Sequence, residues 1–188
     1  MTEAVLITGG NRGDVRQTLQ LAREAIAARI GRVTTCSRCC ESAPWGFDDA
    51  QPFWNQVVAV ETALDAETLL ARIHEIEAAY GRDREAEADE KRRSGARYTG
   101  RTLDIDILFY GGEVIDRPGL QIPHPAMSGR EFVLRPLCEV MPERRHPVTG
   151  KTVREMLEEL LHATIHIQNR ETASGRHSRK ETEKRCIP

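Results

Sequence analysis

The sequence predicts an α+β domain: an antiparallel sheet, helices packed on one face of it, and a helical addition toward the C-terminus. Three observations predict this. Short apolar runs alternate with stretches whose apolar residues recur at helical spacing. Their order is strand, helix, strand, strand, helix, strand. The chain has 188 residues, 39% hydrophobic and 30% charged, which suits a single domain with one core and not a fibrous or wholly disordered chain.

The elements follow in turn. Residues 4–8 read as a short buried strand, and Gly9-Gly10-Asn11-Arg12-Gly13 as a turn. Asp14 caps a helix carrying Val15, Leu19, Ala22, Ile26 and Ile30 on one face, and Gly31 is expected to stop it. Residues 32–41 read as a second strand and 53–62 as a third, joined by a long loop bearing Trp45 and Phe47. Asp65 caps a second helix with Leu69, Leu70, Ile73, Ile76 and Tyr80 on its apolar face, ended by Gly81. An arginine-rich polar loop over 82–101 is expected to be mobile. Residues 102–110 form the clearest strand, and 113–122 a short β excursion. Helices are expected over 130–140 and 151–162. This order is the ferredoxin-like plan. Residues 1–165 read as the folded domain and 166–188 as a polar, flexible tail.

Charge and composition narrow the function. A formal net charge of -2 speaks against nucleic acid as a main partner. No apolar run approaches the ~20 residues that cross a bilayer, and the N-terminus lacks a secretory pattern. Five cysteines, an odd number, fit reduced thiols in the cytoplasm. A monomer is the working expectation, the sequence itself leaving the oligomeric state open.

The sharpest chemical signal is Asp104-Ile105-Asp106. Alternation along a strand puts both carboxylates on one face, with Leu103, Ile105, Ile107 and Phe109 expected on the other. Neighbouring carboxylates repel unless a cation lies between them, and Mg²⁺ is commonly held by one or two carboxylates plus phosphate oxygens. Alone, such a pair also reads as two solvent-facing acids. Arg82, Arg84, Arg92, Arg93, Arg97 and Arg101 precede it, and guanidinium groups suit phosphate. Acids interleave with the arginines over 85–93, so that stretch also reads as a solvated charge run. His124 lies between two prolines, with Arg130 six residues on. Glu77 points to the apolar side of its helix, where a carboxylate needs a partner, either an arginine or something polar at the sheet. Phe53 and Asn55 share one strand face, an aromatic and an amide suited to a flat, nitrogen-rich heterocycle, though core packing also explains the ring. Cys36, Cys39 and Cys40 lack a second ligand pair for zinc, with Cys36 and Cys40 expected on one face.

Together, Gly10-Asn11-Arg12-Gly13-Asp14, Gln51-Pro52-Phe53-Trp54-Asn55, Arg101-Thr102-Leu103-Asp104-Ile105-Asp106, Ile122-Pro123-His124-Pro125 and Arg130-Glu131-Phe132-Val133-Leu134-Arg135-Pro136-Leu137 resemble the 6-hydroxymethyl-7,8-dihydropterin pyrophosphokinase family over roughly residues 4–160. The resemblance implies transfer of the diphosphate of ATP to the pterin hydroxymethyl group, yielding AMP. It implies that Asp104 and Asp106 hold two Mg²⁺ ions. It implies catalytic roles for Arg82, Arg97 and Arg101, and ATP contacts from Glu77, Arg84, Tyr98, Ile107, His124 and Arg130. It implies pterin contacts from Ser42, Ala43, Trp45, Phe53, Asn55 and Phe132. The loop over 82–100 is expected to move over ATP. Two other readings stay in view. Another Mg²⁺-dependent nucleotidyltransferase would release pyrophosphate instead of AMP. A non-catalytic ferredoxin-like module, such as an RNA binder, would need exposed sheet aromatics and a basic face.

Overall fold

The structure, a computed structural model, describes residues 1–42, 51–84, 92 and 100–166. Its strands are β1 (Thr2–Gly10), β2 (Gly31–Cys36), β3 (Cys40–Ser42), β4 (Phe53–Thr62), β5 (Asp104–Tyr110), β6 (Ile115–Arg117) and β7 (Leu120–Ile122). Its helices are α1 (Val15–Arg29), α2 (Ala66–Ala79), α3 (Glu131–Val140) and α4, residues 153–166. The main sheet runs β2-β4-β1-β5, with β3 also on β4, and the paired strands are antiparallel. β6 and β7 form a separate hairpin.

Both faces of the sheet are covered. On one, Leu6, Val58, Val60, Ile105 and Ile107 pack against Leu19 and Ile26 of α1 and Leu69, Ile73 and Ile76 of α2. On the other, Val5, Ile7, Val57 and Phe109 meet Met127, Val133, Leu134 and Leu137, with Val153 and Met156 beyond. α1 and α2 thus share one face, as expected, and the C-terminal helical addition covers the other. Both expected caps form: Gln17 N–H donates to Asp14 Oδ1 at 3.1 Å, and Thr68 N–H to Asp65 Oδ1 at 2.7 Å.

Three local expectations are corrected. Gly31 is not a left-handed helix stop but the first residue of β2, where a Cβ would lie 2.1 Å from the Glu61 carbonyl oxygen. The segment 32–41 is two strands. Cys36 pairs with Val58 and Cys40 with Asn55, so one extra residue lies between them on the β2–β3 side. Ser37 anchors the break: its N–H donates to the Val57 carbonyl at 3.0 Å, and its Oγ accepts from Val57 N–H at 3.0 Å. The break turns Cys36 and Cys40 to opposite faces. Phe109 likewise leaves the face of Ile105 and Ile107, because the register with β1 shifts between Val5 and Leu6. Leu108 is the extra residue, and Phe109 joins the opposite layer beneath Arg144, whose guanidinium lies 5.2 Å from the ring.

His146 packs edge-on against Phe109, with 6.0 Å between ring centroids. Its Nδ1 accepts from Val148 and Thr149 N–H groups at 3.3 Å each, and burial pushes its pKa below the usual 6.5. The folded state thus favours the neutral ring, so the unfolded chain takes up this proton at higher pH. This contribution is complete above pH 6.5 and is lost as pH falls through and below it. Thermal unfolding followed from about pH 7.5 to about pH 5.5 is expected to show Tm falling, and falling less steeply in His146→Gln. Equal slopes in the two proteins would contradict this.

Candidate active site

The register across the sheet assembles the site. Asn55 of β4 faces Gly9 of β1, and Gly9 faces Asp104 of β5; in the next row on that face, Val57, Ile7 and Asp106 align. The paired carboxylates and the amide therefore lie on one face at one end of the sheet, two strand spacings or about 10 Å apart. Gly9 keeps the row open, since a Cβ there would lie 2.6 Å from Asn55 Oδ1. Asn55 is buried, and its Nδ2 donates to Ser42 Oγ at 3.1 Å. Phe53 follows on the same face of β4, opposite Ser42 of β3. Phe132, at the start of α3, packs half-buried against this layer with the Arg130 guanidinium 5.7 Å from its ring.

Around the acids lies a charged network. Glu77 of α2 has no exposed surface. Its Oε1 accepts from Arg82 and from the Ile105 backbone N–H, the latter at 2.8 Å, and its Oε2 accepts from Arg84. Burial raises its pKa, opposed first by Arg82. Both partners open to Glu77 from sequence are met: two arginines and a polar group of the sheet, the Ile105 N–H. Asp104 accepts from Arg82 at Oδ1 and from Arg101 at Oδ2, the latter at 2.7 Å. Both of its oxygens are thus engaged by cations.

Asp106 is different. Its pKa is pushed up to about 7, first by lost hydration and then by the neighbouring Asp104 charge, with Arg130 pulling the other way. His124 Nε2 lies 3.8 Å from Asp106 Oδ2. His124 Nδ1 accepts from Ala126 N–H at 3.1 Å, which leaves the Nε2 proton facing the acids. Burial, then Arg130, lowers the pKa of His124 and favours the neutral ring, a donor aimed at whatever sits above Asp106.

Asp106 and His124 also line a cavity of about 700 Å³ that wraps the outer edge of β5. Its walls include Leu70, His74 and Arg84 on one side and residues 116–121 of the β6–β7 hairpin on the other, with Ile105 and Ile107 between. Arg101 enters the site in a fixed way. Asn11 N–H donates to the Arg101 carbonyl at 3.0 Å, and Arg101 N–H donates to Asn11 Oδ1 at 2.9 Å. Beside them a Cβ on Gly10 would lie 2.4 Å from the Thr102 carbonyl oxygen. In the sequence Asn11 reads as part of a turn, and the partner it tethers is 90 residues away.

Asp104, Asp106, Arg82, Arg84, Arg101, Glu77, His124 and Ile107 thus come together. Ser42, Asn55, Phe53 and Phe132 lie on the same sheet face. Ala43, Trp45, Arg97 and Tyr98, with the expected motion of the 82–100 loop and the tail from 167, lie outside the described residues. Among the described residues no three His, Cys, Asp or Glu side chains cluster to hold a metal, and Cys36, Cys39, Cys40 and Cys138 are free thiols. Two carboxylates can hold a hard divalent cation when substrate oxygens complete its shell.

Known proteins support one assignment. The profile of the 7,8-dihydro-6-hydroxymethylpterin-pyrophosphokinase (HPPK) family matches residues 5–142. A protein of Methylorubrum extorquens named 2-amino-4-hydroxy-6-hydroxymethyldihydropteridine pyrophosphokinase is 39% identical over 161 residues, 85% of this chain and 94% of its own. One of the same name from Porphyromonas gingivalis is 37% identical over 143 residues, 76% and 92% of the two chains. A crystal structure of an HPPK-DHPS protein in complex with substrates superposes with a TM-score of 0.68 at 15% identity, covering 87% of this chain and 44% of that one. Wild-type Plasmodium falciparum HPPK-DHPS with pteroate gives 0.67 at 16% identity, covering 84% and 44%. The likeness to these structures is one of fold, and the chain spans less than half of theirs. The extent of the family match and the identity to both bacterial proteins place this chain in the 7,8-dihydro-6-hydroxymethylpterin-pyrophosphokinase family.

Proposed function

We infer that this chain transfers the β,γ-diphosphate of ATP to the hydroxymethyl oxygen of 6-hydroxymethyl-7,8-dihydropterin, a step of folate synthesis. The observation that carries this reading is the row Asn55–Gly9–Asp104, with Asp106 and His124 beside it. It sets a heterocycle-reading amide and a phosphate-end acid pair on one face of one sheet. The strand order, with the crossover helices α1 and α2 on one face, supports a ferredoxin-like plan.

In the reaction the pterin hydroxyl oxygen bonds to the β-phosphorus as the bond from that phosphorus to the α-bridging oxygen breaks. AMP leaves with that oxygen, and the hydroxyl proton is released. The loose transition state needs an aligned acceptor and charge stabilisation more than a strong base, and we assign no base. Asn55, with Ser42 behind it, orients the pterin edge; Phe132 supplies a stacking ring and Phe53 packs beside it. The family resemblance assigns Ala43 and Trp45 to pterin binding as well. Arg84, His124 and Arg130 bind the phosphate chain and Ile107 lines the nucleotide cavity; the family resemblance adds Tyr98 to the ATP contacts. Arg82, Arg97 and Arg101 meet the charge that develops on the departing oxygen. Glu77 acts through Arg82 and Arg84, which it holds.

Mg²⁺ fits the acid pair, because burial and the adjacent Asp104 disfavour the Asp106 carboxylate, a cost that a divalent cation would offset. Asp104 and Asp106 would hold two such ions, which when bound supply charge neutralisation on the phosphate oxygens. The reaction is placed in the cytoplasm, consistent with the free thiols.

The test is a product assay with ATP, Mg²⁺ and the pterin, separated by chromatography. AMP is expected only when the pterin is present. Folded protein that binds ATP yet forms no AMP with the pterin would refute the assigned acceptor.

A further inference from the structure

We propose that Arg117, at the turn of the β6–β7 hairpin, contacts the phosphate chain of bound nucleotide, exchanging Glu67 for phosphate oxygens as its ionic partner. This rests on the ATP reading above.

The cavity beside β5 has both polar and apolar lining residues. Asp106, His124 and Arg84 line part of it; Leu70, Ile107, Pro118 and Leu120 line another. A polyanion entering the polar part needs cations within reach. Arg84 is tied to the buried Glu77 carboxylate. His124 already faces Asp106, with its Nε2 3.8 Å from Asp106 Oδ2. Arg117 is the cation that the opposite wall contributes to this cavity.

The present partner of Arg117 is exchangeable. Its Nη1 pairs with Glu67 in the first turn of α2, with 65% of the arginine side chain and 51% of the glutamate side chain exposed. Exposed ion pairs of this kind are weak and screened by salt. A phosphate offers a guanidinium denser charge and forked acceptors. Glu67 lies three residues before Leu70, so the pair joins the two cavity walls. The adjacent acid, Asp116, is engaged by Gln121, whose Nε2 donates to its Oδ1 at 2.9 Å.

A purely structural latch and a phosphate contact predict different things. A latch loses the same whichever partner is removed. A phosphate contact loses only when the arginine is removed, and freeing the arginine from Glu67 does no harm. The experiment is calorimetric titration of the intact chain with a non-hydrolysable ATP analogue and Mg²⁺. In Arg117→Ala the Kd is expected to rise about 10-fold, with Arg117→Lys recovering part of the loss. In Glu67→Gln it is expected to stay level or fall. The salt dependence of binding is expected to be shallower in Arg117→Ala than in the parent. An Arg117→Ala Kd within about twofold of the parent, or an equal loss in Glu67→Gln, would overturn the proposal. Absence of binding by the parent chain would instead overturn the nucleotide reading beneath it.

Discussion

Asp106→Asn is expected to lower turnover by roughly 10³-fold, the scale of losing one preorganised charge-stabilising group, without loss of stability. The substitution keeps shape and removes a carboxylate that its surroundings disfavour: hydration is reduced and Asp104 stands beside it. Relief of like-charge repulsion therefore holds or raises the unfolding midpoint. Asp104→Asn is expected to cost as much activity but also about 2 kcal/mol of stability, because Asp104 accepts charge-assisted hydrogen bonds from Arg82 and Arg101. Steady-state turnover and urea denaturation of the two variants check both halves. Parent-like turnover in either variant would contradict the acid-pair assignment. Equal stability losses in the two would contradict the division of labour between the acids.

Glu77→Ala is expected to destabilise the fold by about 3 kcal/mol. Two effects compete at this residue. Burial opposes its charge, which argues that removal should help; Arg82, only 7% exposed, depends on it, which argues the reverse. The second wins, because deletion removes one of the two acids that pair with this buried guanidinium among the described residues and strips the Ile105 N–H of its acceptor. Glu77→Gln keeps an acceptor for that N–H and is expected to cost about 1 kcal/mol. Denaturant midpoints at constant m-value measure this. A Glu77→Ala loss below about 0.5 kcal/mol would show that the network does not hold α2 to β5.

Much of this was legible because the strands announce their own faces. Period-two alternation put Asp104 and Asp106 together, and Phe53 and Asn55 together, with no tertiary information. Helix periodicity placed the buried stripes of α1 and α2, and Asp14 and Asp65 signalled their starts. What escaped was whatever depends on how one strand meets another. The extra residue at Leu108 and the break at Ser37 are set by pairing with β1 and β4, so the faces of Phe109 and Cys40 followed neither local pattern nor propensity. Gly31 looked like a helix stop because glycine often is one; its role is set by the carbonyl of Glu61, thirty positions on. The same holds for the site. Asn11 and Arg117 carried no signal of their own, since the first acts on a backbone 90 residues away and the second matters only once the hairpin faces α2.

The central claim, that both outer phosphates move as a unit to the pterin, is tested most directly by position-labelled ATP. With ATP labelled at the β or the γ phosphorus, the label is expected on the pterin product; with ATP labelled at the α phosphorus, it is expected in AMP. Transfer of the γ label alone, with ADP as co-product, or of the α label onto the acceptor, would contradict the account.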